Sequence, residues 1–126
     1  MRVLLDTAAF IFAVEAPDRL STRALAVLKN PENVRELSSI SLTEIAVKNT
    51  LGKLGISAPM ARQAIEDMHV RVLPFTSDHA FCLFGLPVHH RDPFDRQIIV
   101  QALYEDIPVV TSDRRFSSYS GLKVIW

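Results

Sequence analysis

Apolar residues recur along this chain in two periods. Val3-Leu4-Leu5 is a short continuous apolar run, which predicts a strand covered on both faces, with Asp6 at its carboxyl end. Thr7 to Val14 takes helical spacing until Ala16-Pro17-Asp18 breaks it. Leu20, Ala24, Val27 and Leu28 share one side of a helix from Leu20 to Lys29, ended by Asn30-Pro31. Val34 to Ile40 predicts a second strand, although Val34 and Leu37 are out of phase with strict alternation. Ser41-Leu42-Thr43-Glu44 matches a capping box, Ser at the N-cap and Glu at N3, for a helix that runs to Gly52. A further helix is predicted from Pro59 to His69, with Met60, Ala64, Ile65 and Met68 inward.

Val70 to Phe75 predicts a third strand, and Ser77 to Phe84 a short helix closed by Gly85. Asp92 suits an N-cap and Pro93 the first helical position, opening a helix to Glu105 that carries Ile98-Ile99-Val100, Ala102 and Leu103. Asp95 then falls at N3, so the two carboxylates share a face. Pro108 to Thr111 is a fourth strand with Asp113 just past its end. A loop with Arg114, Arg115, Phe116 and Tyr119 leads to a fifth at Lys123 to Trp126. Strands alternating with helices imply an α/β class, a mostly parallel sheet with helices on both faces.

The chain of 126 residues fits one domain over 1–126 with one core, and 48% apolar with 22% charged residues suits a globular protein. Fourteen basic and fourteen acidic residues cancel, so any nucleic-acid contact rests on a local patch rather than a global field. The single cysteine excludes an intrachain disulfide and suits a reducing cytoplasm. Cys82 falls in an apolar helical pattern, which predicts a core position. The N-terminal apolar run is too short for a signal peptide, and no stretch approaches a membrane span.

The chemistry lies in the acids. Asp6, Glu44, the Asp92/Asp95 pair and Asp113 are scattered in sequence, yet each follows a strand or opens a helix. In open parallel sheets the ligand crevice lies outside the carboxyl ends of the strands, so the fold can gather them. Clustered carboxylates repel one another, and a divalent cation removes that penalty. Oxygen ligands select hard ions such as Mg²⁺ or Mn²⁺. His89 and His90 are read as shaping the loop or meeting substrate, because no second His or Cys set stands at the spacing a softer metal needs. Lys48, Lys53, Arg91, Arg96, Arg114 and Arg115 are candidate backbone contacts, each with a structural alternative; Lys48, for one, follows Glu44 by one helical turn. Glu15, Asp18, Glu32, Glu66, Asp67, Asp78, Glu105 and Asp106 read as caps or solvated faces.

Several segments in order resemble the PIN-domain ribonucleases, specifically the VapC-type toxins of VapBC toxin–antitoxin pairs. They are Leu4-Leu5-Asp6-Thr7, Ser41 to Lys48, Leu51-Gly52-Lys53-Leu54, Leu86-Pro87, His89 to Arg96, Gln101-Ala102 and Val110-Thr111-Ser112-Asp113. The resemblance implies a three-layer α/β/α sandwich around a central sheet of about five strands. It implies RNA cleavage dependent on Mg²⁺, with Mn²⁺ as a substitute. By motif position Asp6, Glu44, Asp95 and Asp113 would bind the metal and carry catalysis, with Asp92 an additional acid. Thr7, Lys48, Arg91, Arg96, Thr111 and Arg114 are the residues expected at the substrate. A homodimer and a cognate antitoxin seated in an apolar groove are the implied partners. Ala8 and Thr43 depart from the family pattern without removing an acid. Two other functions suit the same residues: a Mg²⁺-dependent phosphatase, and a non-catalytic module whose acids merely cap helices.

Overall fold

The structure, a computed structural model, describes residues 1–126. Five strands form one sheet: β1 (Arg2–Leu5), β2 (Val34–Ser38), β3 (Arg71–Leu73), β4 (Val109–Val110) and β5 (Val124–Ile125). Their order is β3-β2-β1-β4-β5 and every pairing is parallel. Six α-helices accompany them: α1 (Thr7–Glu15), α2 (Thr22–Lys29), α3 (Ser39–Thr50), α4 (Ala58–Asp67), α5 (Ser77–Cys82) and α6 (Pro93–Glu105). Short 3₁₀ turns lie at Pro17–Arg19, Leu83–Gly85 and Arg114–Ser118. None of the helices is long and apolar enough to cross a membrane.

The period-two alternation of β1 divides the core. Val3 and Leu5 point to one face, where they meet Phe10, Ala24, Leu28, Ile45 and Ala61. Leu4 points to the other, with Ile98, Ile99, Ala102, Phe116 and Tyr119. Each side of the sheet is thus closed by helices, giving the three layers. From β1 the chain winds outward through β2 and β3, then returns to lay β4 on the other side of β1. The order therefore switches between β1 and β4, which pair in register at Leu5 and Val110.

Local chemistry shifts some boundaries. Helix α3 begins earlier than the Ser41-Thr43-Glu44 pattern suggests, because Ser38 is the N-cap and accepts the Ile40 amide at 3.0 Å. Ser41 is then fully buried inside the helix, its hydroxyl accepting Thr7 Oγ1 at 2.9 Å, and no capping box forms there. In α4 the inward face is Ala61, Ala64, Ile65 and Met68, the i, i+3, i+4, i+7 set, and Met60 lies one position off it, exposed. Cys82 is exposed rather than core, because it ends α5 on the side that also shows Phe81 and Phe84 to solvent. Glu105 is no solvated acid: it binds Arg2 at 3.2 Å and His79 at 3.2 Å, and Arg2 also pairs with the buried Glu36 at 2.6 Å.

Candidate active site

Asp6 leaves the end of β1 and caps α1, its Oδ1 accepting the Ala9 amide at 2.7 Å. Its Oδ2 accepts the hydroxyl of Thr111, the residue directly after β4. Thr111 Oγ1 in turn accepts the Asp113 amide at 3.0 Å. One threonine thus ties the first and last acids together across the switch in strand order. Asp113 caps the Arg114–Ser118 turn through the Arg115 amide. Asp92 caps α6, accepting the Phe94 and Asp95 amides at 2.8 and 3.1 Å, and so places Asp95 in the first turn. Glu44 is buried on α3, which packs against α6.

These carboxylates feel one another. Burial pushes Asp6 up from 3.8 to about 7, and the Asp95 and Asp113 charges add to the rise against the opposing bonds from Thr111 and Ala9. Asp95 rises from 3.8 to about 6, first by burial, then by Asp92, with Glu44 and Asp113 adding. Asp113 lies below the usual carboxylate range because the Arg115 guanidinium grips it, Nη2 to Oδ2 at 2.8 Å. Lys48 binds Glu44 Oε2 at 2.7 Å, which raises the lysine pKa. Glu44 Oε1 is buried and has no partner.

The loop before α6 is fastened by Arg96. Its guanidinium donates to the carbonyls of Leu86, Pro87 and His90 at 3.1, 2.9 and 3.2 Å, and to the Tyr119 hydroxyl at 3.4 Å. That hydroxyl also accepts the His89 and His90 amides at 3.2 and 2.9 Å. The imidazole of His90 is thereby held between two acids, Nε2 lying 2.8 Å from Asp95 Oδ2 and 3.2 Å from Asp113 Oδ2. Arg96→Lys should break the clamp, because an ammonium lacks the planar fork that reaches several acceptors at once. The expected loss is about 2 kcal/mol in urea denaturation, with faster hydrogen exchange at the amides of Val88 to Asp92. Unchanged exchange there would refute the clamp.

A hard divalent cation fits this donor set. Asp95 and Asp113 converge on His90, with one oxygen or nitrogen of each side chain within 4.8 Å of the others. Glu44 Oε1 is an orphaned buried acceptor, and the strained ionisation of Asp6 and Asp95 is the penalty that a cation relieves. An apolar cleft of about 720 Å³ lies elsewhere: Leu42, Ile45, Ile56, Ala61 and Ile65 line it between α3 and α4, and Asp6, Glu44, Asp92, Asp95 and Asp113 do not enter it.

The other residues expected at the site take different places. Thr7 and Thr111 are buried, with their hydroxyls bound inside the chain to Ser41 and Asp6. Lys48 forms the helix ion pair with Glu44, and Arg96 holds the loop. Arg91 and Arg114 are exposed and make no side-chain hydrogen bond or ion pair. The sequence reading gives His90 a part in shaping the loop or meeting substrate, and leaves Ser41 and Tyr119 out of the site. It does not foresee that the His90 ring meets Asp95 and Asp113, since a ring reaching acids on two elements has no helical or strand spacing.

A family model described as PIN domain matches residues 3–122. No curated protein matches the chain in sequence. VapBC2 from Rickettsia felis, solved bound to a DNA fragment from its promoter, is 20% identical with a TM-score of 0.73, over 98% of this chain and 97% of that one. DNA-bound VapBC from Salmonella typhimurium is 19% identical at TM-score 0.71, covering 98% and 96%. VapC20 from Mycobacterium tuberculosis, a sarcin–ricin loop cleaving toxin, is 17% identical at TM-score 0.65, covering 96% and 98%. At these identities the likeness is one of fold.

Proposed function

The chain belongs to the PIN domain family, and from that premise we propose that it is a metal-dependent endoribonuclease, the toxin of a toxin–antitoxin pair. The observation that carries this reading is the junction of Asp6 and Asp113 through Thr111, with Asp95 within range of their charges. The whole of 1–126 acts as one PIN-like domain. Asp6, Glu44, Asp95 and Asp113 hold Mg²⁺ or Mn²⁺, and Asp92 holds the helix start that places Asp95. When bound, the ion supplies positive charge for the phosphoryl group and an acidified water. The chain's own part is to fix the acids and to admit an anion. Ionised and without a cation, the cluster repels a phosphodiester, so binding and cleavage both require the metal. Arg91 and Arg114, exposed and unpaired like Lys53, are side chains available to backbone phosphates.

Partners follow the same reading. Several structural neighbours are toxin–antitoxin complexes, two of them bound to DNA. A cognate antitoxin is the proposed inhibitor here, and the apolar cleft between α3 and α4 offers it a seat. A homodimer and a cytoplasmic site of action complete the proposal.

Total RNA, single-stranded DNA and a phosphomonoester, each incubated with the purified protein in Mg²⁺, Mn²⁺ or EDTA, separate the possibilities. The expected result is internal cuts in RNA with either metal and none in EDTA. Phosphomonoester turnover with RNA left intact would sink the nuclease reading in favour of a phosphatase.

A further inference from the structure

His90 is gripped from several sides. Its amide donates to the Tyr119 hydroxyl, its carbonyl accepts from Arg96, and its ring meets Phe116 edge to face with centroids 6.0 Å apart. The residue is only 3% exposed. Its two ring nitrogens have different neighbours. Nδ1 lies 3.2 Å from the backbone nitrogen of Asp92, a group that can only donate, so Nδ1 is an acceptor and carries no proton. The proton of the neutral ring is therefore on Nε2, which faces Oδ2 of Asp95 and Oδ2 of Asp113. Ionised carboxylates can only accept, so both ends of the ring specify the same tautomer.

The two acids come from different elements, Asp95 from the first turn of α6 and Asp113 from the loop after β4. His90 is the only side chain that touches both: its Nε2 hydrogen-bonds to Asp113 Oδ2 at 3.2 Å and lies 2.8 Å from Asp95 Oδ2. Asp95 Oδ1 has no partner within the chain, so the imidazole occupies one oxygen of that carboxylate and leaves the other open.

We infer that His90 is a positioning residue and not a metal ligand: its Nε2–H, hydrogen-bonded to Asp113 and in close contact with Asp95, holds the two acids at a fixed separation, ready for a divalent cation. This rests on the metal reading above. Coordination through Nε2 would need the ring proton on Nδ1, where it would point at the Asp92 N–H. The compact grouping of His90 with the two acids thus has the geometry of a carboxylate brace, in which an outer partner orients the ligands.

The tautomer can be read from the imidazole nitrogen resonances of the wild-type protein, first metal-free and then saturated with Mg²⁺. The proton should be on Nε2 in both. Its loss from Nε2 on adding Mg²⁺ would make His90 a ligand and overturn the inference. Mn²⁺ calorimetry on wild type, His90→Gln and His90→Ala gives the second arm. His90→Ala should weaken Mn²⁺ by about 10-fold or more. His90→Gln, whose amide offers an N–H near the place of Nε2, should recover most of that loss. Equal or tighter binding by His90→Ala would overturn the brace. If that variant does not fold, His90→Gln decides together with the spectra, and a Gln variant as weak as an acid knockout counts against the brace. Wild-type protein that binds no Mn²⁺ would overturn the metal reading itself, a failure distinct from one confined to His90.

Discussion

Asp6→Asn and Asp95→Asn are each expected to abolish RNA cleavage and to weaken Mn²⁺ by more than about 100-fold, because loss of an outer partner alone costs 10–100-fold and these are the proposed ligands themselves. The fold should survive both. Asparagine keeps the Oδ1 acceptor that takes the Ala9 amide, and the Thr111 hydroxyl can turn to accept from the new amide. Stability without metal should move the opposite way from activity. A rise from 3.8 to about 7 in Asp6 corresponds to on the order of 4 kcal/mol held against the ionised carboxyl at pH 8. Asp6→Asn removes that charge, so the variant should be more stable than wild type in EDTA. If Asp6 were only a helix cap, weakening it would lower stability, by about 1 kcal/mol when the cap is deleted. Denaturation in EDTA alongside Mn²⁺ calorimetry therefore separates a metal acid from a structural one by sign.

Metal-free stability is expected to fall as pH rises from about 4 to about 7, while metal affinity climbs over the same interval. The direction follows from proton counts. Asp6 and Asp95 have folded values of about 7 and about 6, above the ordinary 3.8, so within this window the native state binds more protons than the unfolded chain. Stability then decreases with rising pH, and the decrease ends once Asp6 is ionised. A cation has to displace those protons, so it binds better above pH 7 than at pH 5. Asp113 and Glu105 act in the opposite direction. Arg115 lowers the first, and His79 with Arg2 lowers the second. Their stabilising contribution is present above the ordinary carboxylate range and is lost only as pH falls below it, outside the window. Urea denaturation in EDTA at pH 5 and pH 8 checks the first half, and Mn²⁺ titrations at the same two values check the second. Equal stability at both would contradict the buried-acid description.

The order of strands and helices is legible in the sequence because the apolar period changes abruptly at each boundary. Val3-Leu4-Leu5 is a buried strand whatever follows it, and Asp92-Pro93 opens a helix through local chemistry alone. The meeting of Asp6 with Asp113 is legible once the sheet is parallel, since both acids stand past the ends of strands. Contacts set by packing are hidden. Ser41 looks like a cap because Glu44 stands three residues on, yet Ser38 lies closer to the strand end and captures the helix start. Glu36, inside a strand pattern, gives no sign that Arg2 will reach across to it from β1. The phase of α4 depends on where its first turn begins, which decides between Met60 and Ala61. Arg96 is one turn from Asp92 and invites an ion pair, but the carbonyls of Leu86, Pro87 and His90 converge on it only after the loop folds over. His90 is the same case: its value comes from two acids that different elements deliver.

The most direct test is a Mn²⁺ titration in which site occupancy, by electron paramagnetic resonance, and RNA cleavage rate are followed on the same wild-type sample, with Asp95→Asn beside it. Cleavage should rise in step with occupancy, vanish for both on adding EDTA, and be absent together with bound metal in Asp95→Asn. Cleavage that persists in EDTA, or in an Asp95→Asn protein that binds no Mn²⁺, would contradict a metal-dependent nuclease built on these acids.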